Sequence, residues 1–531
     1  MAIVILGLGL LAVPPLPAGA VQVFHDRIVS ANPSDITPNI IDAPHENHQV
    51  LSIAQIGTRT YAAGEFTQIQ NAGGGPVYTV NGIFAFFTAT GQIDVNGFGF
   101  PHLARRIEVI APSEDGSALF LGGGFTHIDG FSEGGVASLN PATGAVNTQF
   151  KVNANERVYD LVARGGSLYM GGMFTTVNGL PRSGIAAVNE ASGAVSSELS
   201  LQVTGTRLDR KAMRVDNLDV TPDASRLIVT GNYTAVNGVP RGQVTMIDLT
   251  TSPDSLANWD TQRFTPLCAT KFSTYIRDVD FSPDGSYLVI ATTGATAINH
   301  GGTPTTGPIC DGSARFETYA TGSDLQPTWV NYVGGDTNYS VAITGTVVYL
   351  AGHERWQNNY FGADAPQPGS VRRQGIAAVS PVNGVPFAWN PGRTRGLGAQ
   401  ALLATSDGLF VGSDTDQIGG EFHAKLALMP LTGGEFVPPA NPGTIPGELY
   451  TIQQDGTMVA RTFDGTTFGS AVTRTSHDWS DVRGAFMLSG TLYTGQSVGT
   501  LRKQTLAGDK VGTAKTLNLH GLDTETQQPP D

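Results

Sequence analysis

The stretch that decides the fold is LYMGGMFTTVNG at residues 168–179, which recurs as LFLGGGFTHIDG at 119–130 and LIVTGNYTAVNG at 227–238. More divergent copies are TYAAGEFTQIQN (60–71), VYLAGHERWQNN (348–359) and LFVGSDTDQIGG (409–420). One further degenerate copy, YLVIATTG at 287–294, carries Thr292 at the position of the repeat glycine. The copies define seven units of about 60 residues, and a repeat of this period predicts a propeller or a solenoid.

Every unit has the same internal order, which the third unit shows well. RVYDLVA (157–163) alternates apolar and polar residues like a half-buried strand, and three more short strands follow before residue 204. Asn178-Gly179 is a tight-turn signal between the second and third strands. The repeat glycines align as Gly64, Gly123, Gly172, Gly231, Gly352 and Gly412.

Four short antiparallel strands per unit, with no amphipathic helix between them, predict an all-β fold, a seven-bladed β-propeller over residues 45–436. A solenoid is the alternative. It is less favoured, because about 60 residues are long for one coil of a β-helix and because a closed ring leaves no exposed sheet edge.

The units resemble the delta-60 repeat, a kelch-like propeller repeat of exported bacterial proteins. The pattern GGxFTxVNGxxRxGIAxxNxxTG carries the resemblance, and Gly171 to Gly193 match it here. Three central copies match closely, whereas the fifth lacks the FTxVNG segment and the sixth and seventh replace it. The resemblance implies the propeller fold and export, and it implies no particular activity.

The N-terminus also predicts export. Residues 2–13 are almost wholly apolar and Ala18-Gly19-Ala20 follows as a cleavage site, although no Lys or Arg precedes Arg27. We expect a signal peptide at 1–20, an N-terminal extension at 21–44 and a secreted or cell-surface protein. Nothing later is apolar for about 20 residues, so we expect no membrane insertion after signal removal.

The C-terminal part predicts a small second β segment. VPPANPGTIPG at 437–447 has the composition of a linker. Two strand–turn–strand copies follow within 448–517, with Tyr450 matching Tyr493. We expect the polar tail at 518–531 to be disordered.

Charge excludes one large class of partner. The sequence holds 31 Lys+Arg against 45 Asp+Glu, a net charge of −14, whereas nucleic-acid binding needs clustered basic residues. Two cysteines occur, Cys268 and Cys310, both in connections expected on one face of the ring. In an exported chain this placement predicts a disulfide between them.

Long loops on a rigid scaffold are where binding sites tend to lie, and the insertion in the sixth unit is the most informative. It concentrates aromatic, amide and arginine side chains that suit a glycan or a peptide. The candidate ligand-binding residues are His353, Arg355, Trp356, Asn358 and Tyr360. The alternative is that Trp356 and Phe361 only fasten a long loop to the ring.

No catalytic residues and no metal site can be assigned from the sequence. Asp414, Asp416 and Glu421 resemble a fragment of a calcium loop without the proper spacing, so calcium stays an open alternative. Asp278, Asp280 and Asp284 allow a similar interpretation, although Asp284 belongs to a turn.

The sequence therefore predicts a secreted binding module for a glycan or an extracellular protein. An enzyme on the same scaffold is one alternative, which carboxylates, His and Tyr gathered from three or more blades at the channel mouth would favour. A structural spacer of a larger exported protein is the other. The oligomeric state is left open.

Overall fold

The computed structural model describes residues 23–42, 48–103, 105–207, 212–266, 268, 274–294, 306–367, 369–437, 447–453, 455–463, 468–474, 477–488, 491–507 and 510–517. The expected signal peptide, the tail and most of the linker lie outside these residues. The chain divides into two compact units, 1–437 and 438–531. All elements in the described ranges are β-strands. No apolar helix of membrane-spanning length occurs among them.

The first unit contains successive small antiparallel sheets, named sheets 1 to 7 in chain order. Their strands are Gln49–Ile56, Arg59–Glu65 and Ile83–Phe87 (sheet 1); Ile107–Pro112, Leu119–Gly123 and Val136–Leu139 (sheet 2); Val158–Arg164, Ser167–Gly172 and Ile185–Asn189 (sheet 3); Val215–Val220, Arg226–Gly231, Val244–Asp248 and Ser255–Leu256 (sheet 4); Ile276–Phe281, Tyr287–Thr292, Gly312–Glu317 and Trp329–Tyr332 (sheet 5); Asn338–Ile343, Val348–Gly352 and Ile376–Val379 (sheet 6); and Ala399–Thr405, Gly408–Ser413 and Leu426–Pro430 (sheet 7). In sheets 1, 2, 3 and 6 a single bridge, such as Phe86 with Ile93, takes the place of a fourth strand.

The sheets are arranged in a ring. The first strand of each sheet packs against the first strand of the next, and the first strand of sheet 7 packs against that of sheet 1. Apolar side chains fill the space between neighbours; Phe120 of sheet 2, for example, lies 5.3 Å from Phe150 between ring centroids. This is the architecture of a β-propeller.

A short hairpin follows the second strand in most sheets. In sheet 3 it pairs Thr176–Val177 with Leu180–Pro181, and its turn residues Asn178 and Gly179 both have positive φ, 49° and 77°. The others pair Gln68–Gln70 with Val77–Thr79, His127–Ile128 with Phe131–Ser132, Ala235–Val236 with Val239–Pro240, Trp356–Gln357 with Val371–Arg372, and Gln417–Ile418 with Glu421–Phe422; Asn39–Ile40 and Val203–Thr204 each add a strand to one of them. We call this end of the ring the hairpin face.

The segment expected as an N-terminal extension packs on sheet 7. Arg27–Ile28 pairs with Glu435–Phe436. Ser30 N donates to Pro430 O at 2.8 Å, and Ser34 N donates to Leu428 O at the same distance. Residues 27–34 therefore cover the outer edge of sheet 7, which would otherwise expose unpaired backbone groups.

A β-bulge explains the repeat glycine. Near the start of the first strand of all seven sheets the register shifts by one residue, between Val158 and Asp160 in sheet 3. The bulge brings a carbonyl against the second strand, and a Cβ on Gly172 would collide with Arg157 O. A Cβ on Gly123 would lie 2.8 Å from Arg106 O for the same reason.

The register corrects one alignment. In sheet 7 Ala399 pairs with Ser413, and Ala401 pairs with Gly412. Ser413 therefore occupies the position of the repeat glycine, and our alignment of Gly412 was wrong by one residue. Thr292 of sheet 5 pairs with Ile276 at the bulge, as its alignment predicted.

The second unit contains two further sheets. One consists of Gly447–Ile452, Met458–Phe463 and Val472–Arg474, and the other of Val482–Leu488, Thr491–Gln496, Leu501–Ala507, Lys510–Val511 and Lys515–Thr516. Their first hairpins turn at Gly456 and Gly499, with φ of 81° and 79°. The strand–turn–strand pattern predicted for the two copies is present in both.

Candidate functional site

The bulges place one extra residue per sheet at the hairpin end of the ring. A β-bulge leaves this residue outside the regular pairing and redirects its side chain. We call the set the bulge ring: Leu51, Glu108, Tyr159, Asp216, Arg277, Tyr339 and Gln400. Because the first strands surround the axis, these residues lie at the mouth of the central channel.

Arginines from neighbouring sheets connect the first members of the bulge ring. Glu108 lies 2.7 Å from Arg106 of its own sheet and 3.3 Å from Arg157 of sheet 3. The guanidinium groups of Arg157 and Arg214 lie 5.8 and 5.5 Å from the centroid of the Tyr159 ring. Tyr159 Oη donates a hydrogen bond of 3.2 Å to Met173 Sδ.

The chain of contacts continues through sheets 4 to 6. Asp216 Oδ1 lies 2.7 Å from Arg214 Nε, while Arg277 of sheet 5 is the second cation that acts on Asp216. The Arg277 guanidinium in turn lies 5.6 Å from the ring centroid of Tyr339. The Tyr339 ring meets His353 edge-on at 5.5 Å. Side chains of five consecutive sheets thus form one polar and aromatic surface.

Burial shifts the pKa values of Asp216 and Arg277. It raises the pKa of Asp216 to about 6, although Arg214 and Arg277 both favour the charged carboxylate. It lowers the pKa of Arg277. Asp216 Oδ2 is buried with no hydrogen-bond partner among the described residues. Asp216 can therefore hold a proton at mildly acidic pH.

Glycines leave room for two members of this surface. A Cβ on Gly124 would lie 3.0 Å from Arg157 Nε, and a Cβ on Gly398 would lie 2.6 Å from the Tyr339 ring. In sheet 3 Met173 occupies the position of Gly124. The space beside Arg157 is therefore particular to sheet 2.

The residues predicted from the sixth insertion mostly contact their own loop and neighbouring parts of the ring. Arg355 pairs with Asp336 at 2.9 Å and Asp364 at 2.6 Å. Its guanidinium also covers the half-buried Trp356 at 4.6 Å. Asn358 N donates to Asn331 Oδ1 at 2.6 Å, and its side chain donates to a loop carbonyl.

The other two predicted residues lie in different places. Tyr360 is buried against Tyr332 and Phe361, with ring centroids at 4.8 and 4.9 Å. His353 holds Leu397 O at 3.0 Å through Nδ1 and contacts Tyr339. Of the five, His353 alone is in contact with a member of the bulge ring.

The cysteines form the predicted disulfide. Cys268 and Cys310 are joined, with their Cα atoms 6.0 Å apart. The bridge packs with Tyr275, Tyr332 and Tyr360. It joins the connection between sheets 4 and 5 to the segment just before the third strand of sheet 5, rather than supplying a reactive thiol.

Two carboxylates of the calcium-like fragment bind groups of the protein itself. Asp414 accepts the backbone N–H of Leu397 and of Gly398 at 2.6 and 3.1 Å, and Asp416 pairs with Lys425 at 3.0 Å. Asp278 and Asp280 accept backbone N–H groups of sheet 6, at Val341 and Ile343. Asp284 accepts from Ser282 and Ser286 in its turn, as expected.

Sequence reasoning missed the arginines beside the bulge ring. Arg106, Arg157 and Arg214 stand at the same position of three successive units, in RIE, RVY and RVD. A cation repeated at one position of an acidic chain is a usable signal. Its meaning depends on the bulge, which the sequence pattern does not reveal.

The chain matches no protein-family model, and the search of curated proteins found no match. Similar solved structures include U3-55K, with 12% identity and a TM-score of 0.45 over 75% of this chain and 100% of that chain. The WD40 repeats of RRP9 have 11% identity and a TM-score of 0.44, over 74% and 97%. The computationally designed Ika8 protein has 11% identity and a TM-score of 0.35, over 75% and 96%. At these identities the likeness concerns the β-propeller fold alone.

Proposed function

We propose that this chain is an exported, seven-bladed β-propeller of the delta-60 type that binds a glycan at the bulge ring. The observation that carries the proposal is the alternation of arginine, carboxylate and tyrosine side chains from sheets 2 to 6 around one channel mouth. These contacts run from each sheet to the next around the channel mouth, so an extended ligand could touch several sheets at once.

The chemistry of these side chains suits a sugar. Guanidinium and carboxylate groups offer fixed donors and acceptors to neighbouring hydroxyls. Tyr159 and Tyr339 are half-buried, which leaves part of each ring for the apolar face of a pyranose.

The test is a glycan and cell-wall array probed with the purified protein and with Tyr159→Ala. We expect selective binding that the substitution weakens about tenfold, because a stacking face is lost. Tyr319→Ala is the matched control, since Tyr319 also lies beside an arginine, Arg226 at 5.4 Å, but at the opposite end of the sheets. Equal loss in both variants would contradict a site at the bulge ring.

Other outcomes separate the remaining alternatives. Capture of an extracellular protein, with no glycan bound, would favour the protein ligand. Binding lost in Trp356→Ala but retained in Tyr159→Ala would return the site to the sixth insertion. No ligand of either kind would favour the structural spacer.

An enzyme is the second candidate, and a specific observation favours it. Carboxylates, tyrosines and His353 from five sheets meet at the channel mouth, and Asp216 has a pKa raised to about 6, which suits a general acid near neutral pH. A glycosidase or a polysaccharide lyase would release reducing ends or unsaturated sugars from a bound polymer. Asp216→Asn should then abolish product release while binding persists.

Export is part of the same proposal and has its own measurement. We expect the mature protein outside the cytoplasm, with an N-terminus after Ala20. N-terminal sequencing of the protein recovered from the medium or the cell surface would test it, and an intact Met1 in the cytoplasm would contradict it.

A further inference from the structure

Three side chains that the proposed function does not use meet where residues 27–40 pack on sheet 7. They are Asp35, Glu421 and His423, and one ligand atom of each lies within 4.8 Å of the others. Asp35 is exposed, Glu421 is partly buried and His423 is buried. Two carboxylates and an imidazole are a donor set that divalent transition metals accept.

The backbone holds the two segments side by side at this point. Ile40 N donates to Ala424 O at 3.1 Å, and Ala424 N donates to Asn39 Oδ1 at the same distance. His423 N donates to Asp416 O at 2.8 Å, which fixes the second segment to its own hairpin. The cluster is therefore built from positions that the ring has already ordered.

His423 provides an independent sign of a ligand. The residue is only 6% exposed, and its Nε2 atom has no hydrogen-bond partner among the described residues. Nε2 lies 3.6 Å from Glu421 Oε2, which is too far for a hydrogen bond. Buried polar atoms are normally satisfied, so an unpaired imidazole nitrogen facing two carboxylates needs an explanation.

The separation of these atoms fits a shared ion. Two donors about 2.1 Å from one tetrahedral ion lie roughly 3.4 Å apart, close to the 3.6 Å between Nε2 and Oε2. The other ring nitrogen, Nδ1, lies 3.4 Å from Thr37 Oγ1. A hydroxyl acceptor at Nδ1 would hold the tautomer that leaves Nε2 free to bind a metal.

We infer that Asp35, Glu421 and His423 bind a divalent transition metal ion, with Zn²⁺ as the simplest occupant, and that the ion clasps the N-terminal segment to sheet 7. The imidazole favours zinc over calcium, which prefers oxygen ligands alone. With three protein ligands, water completes the coordination. The role is structural, because the site joins the two ends of the ring.

The test uses the full chain, dialysed against a chelator and titrated with Zn²⁺ by calorimetry, with Mg²⁺ and Ca²⁺ as comparison ions. We expect one Zn²⁺ per chain, a rise in melting temperature on Zn²⁺ addition, and at least tenfold weaker binding in His423→Ala. His127→Ala is the control, because His127 lies exposed on the corresponding hairpin of sheet 2.

Asp35→Asn and Glu421→Gln test the same metal site without the loss of a buried imidazole, which could disturb folding. Both remove a charge while they preserve shape, and both should weaken Zn²⁺ binding and its effect on melting. Substitution of Co²⁺ should give visible absorption bands that disappear in the same variants. Absence of Zn²⁺ binding, or binding unchanged in all three variants, would overturn the inference and leave a simple His423–Glu421 contact.

Discussion

The carboxylate of Asp219, on the first strand of sheet 4, accepts the backbone N–H of Phe281, on the first strand of sheet 5, at 2.8 Å. Asp160 accepts from Leu218 across the preceding boundary, and Asp278 accepts from Val341 across the next, both at 2.8 Å. Among the described residues no backbone ladder joins one of these sheets to its neighbour. Inner-strand aspartates therefore supply polar links between successive sheets from sheet 3 to sheet 6.

Removing one of these links should destabilise the ring. Asp219→Ala leaves the N–H groups of Phe281 and Val220 without their acceptor, because the same carboxylate also binds Val220 N at 2.7 Å. We expect a loss of about 1–3 kcal/mol in the free energy of unfolding, measured by urea denaturation. Asp223→Ala, in an exposed turn, is the control and should cost less. An equal loss of unfolding free energy in both variants would mean that the inter-sheet hydrogen bonds stabilise the fold no more than those of an exposed turn.

The same aspartates should make stability depend on pH in an unusual direction. Burial raises the pKa of Asp278 from 3.8 to about 7, so between these values the folded chain binds more protons than the unfolded chain. The contribution of Asp278 to stability is therefore greatest at acidic pH and declines as the pH rises from about 4 to 7. Denaturation of Asp278→Asn should show a flatter pH dependence than the native chain over this window. A native profile that rises more steeply than that of the variant would contradict the assignment.

Much of the fold could be predicted because its signals are local. The turn at Asn178-Gly179 and the strand alternation lie within a few residues of sequence, and so they identified the units. The arrangement at the mouth of the channel could not be predicted from the sequence. Arg157 acquires its role there from Glu108, in another sheet, and from a bulge that shifts the strand register. The insertion around Trp356 was predicted to bind a ligand from its composition alone, whereas its Arg355 is held by an ion pair with Asp336.

The repeat glycine gives a prediction about packing. A Cβ at position 172 would collide with Arg157 O on the bulged strand, so Gly172→Ala should force the two strands apart. We expect a loss of about 1–3 kcal/mol in unfolding free energy. Gly73→Ala is the matched control, since nothing lies within 4 Å of a Cβ there and its φ is not positive. That change should be neutral or stabilise the chain by up to about 1 kcal/mol, through the unfolded state.

The space beside Arg157 gives a prediction that separates binding from stability. Gly124→Met introduces the residue that sheet 3 carries at the same position, but its Cβ would already lie 3.0 Å from Arg157 Nε. Arg157 is a long, partly exposed side chain, so it can move aside at little cost to folding. It would then leave Glu108, now 3.3 Å away, and the face of Tyr159. We expect glycan binding to weaken about tenfold, equivalent to about 1.4 kcal/mol, with the melting temperature almost unchanged.

Gly73→Met controls for a bulky side chain on the surface. Unaltered binding in Gly124→Met would remove Arg157 from the site, and a large fall in melting temperature would make the glycine a packing residue instead.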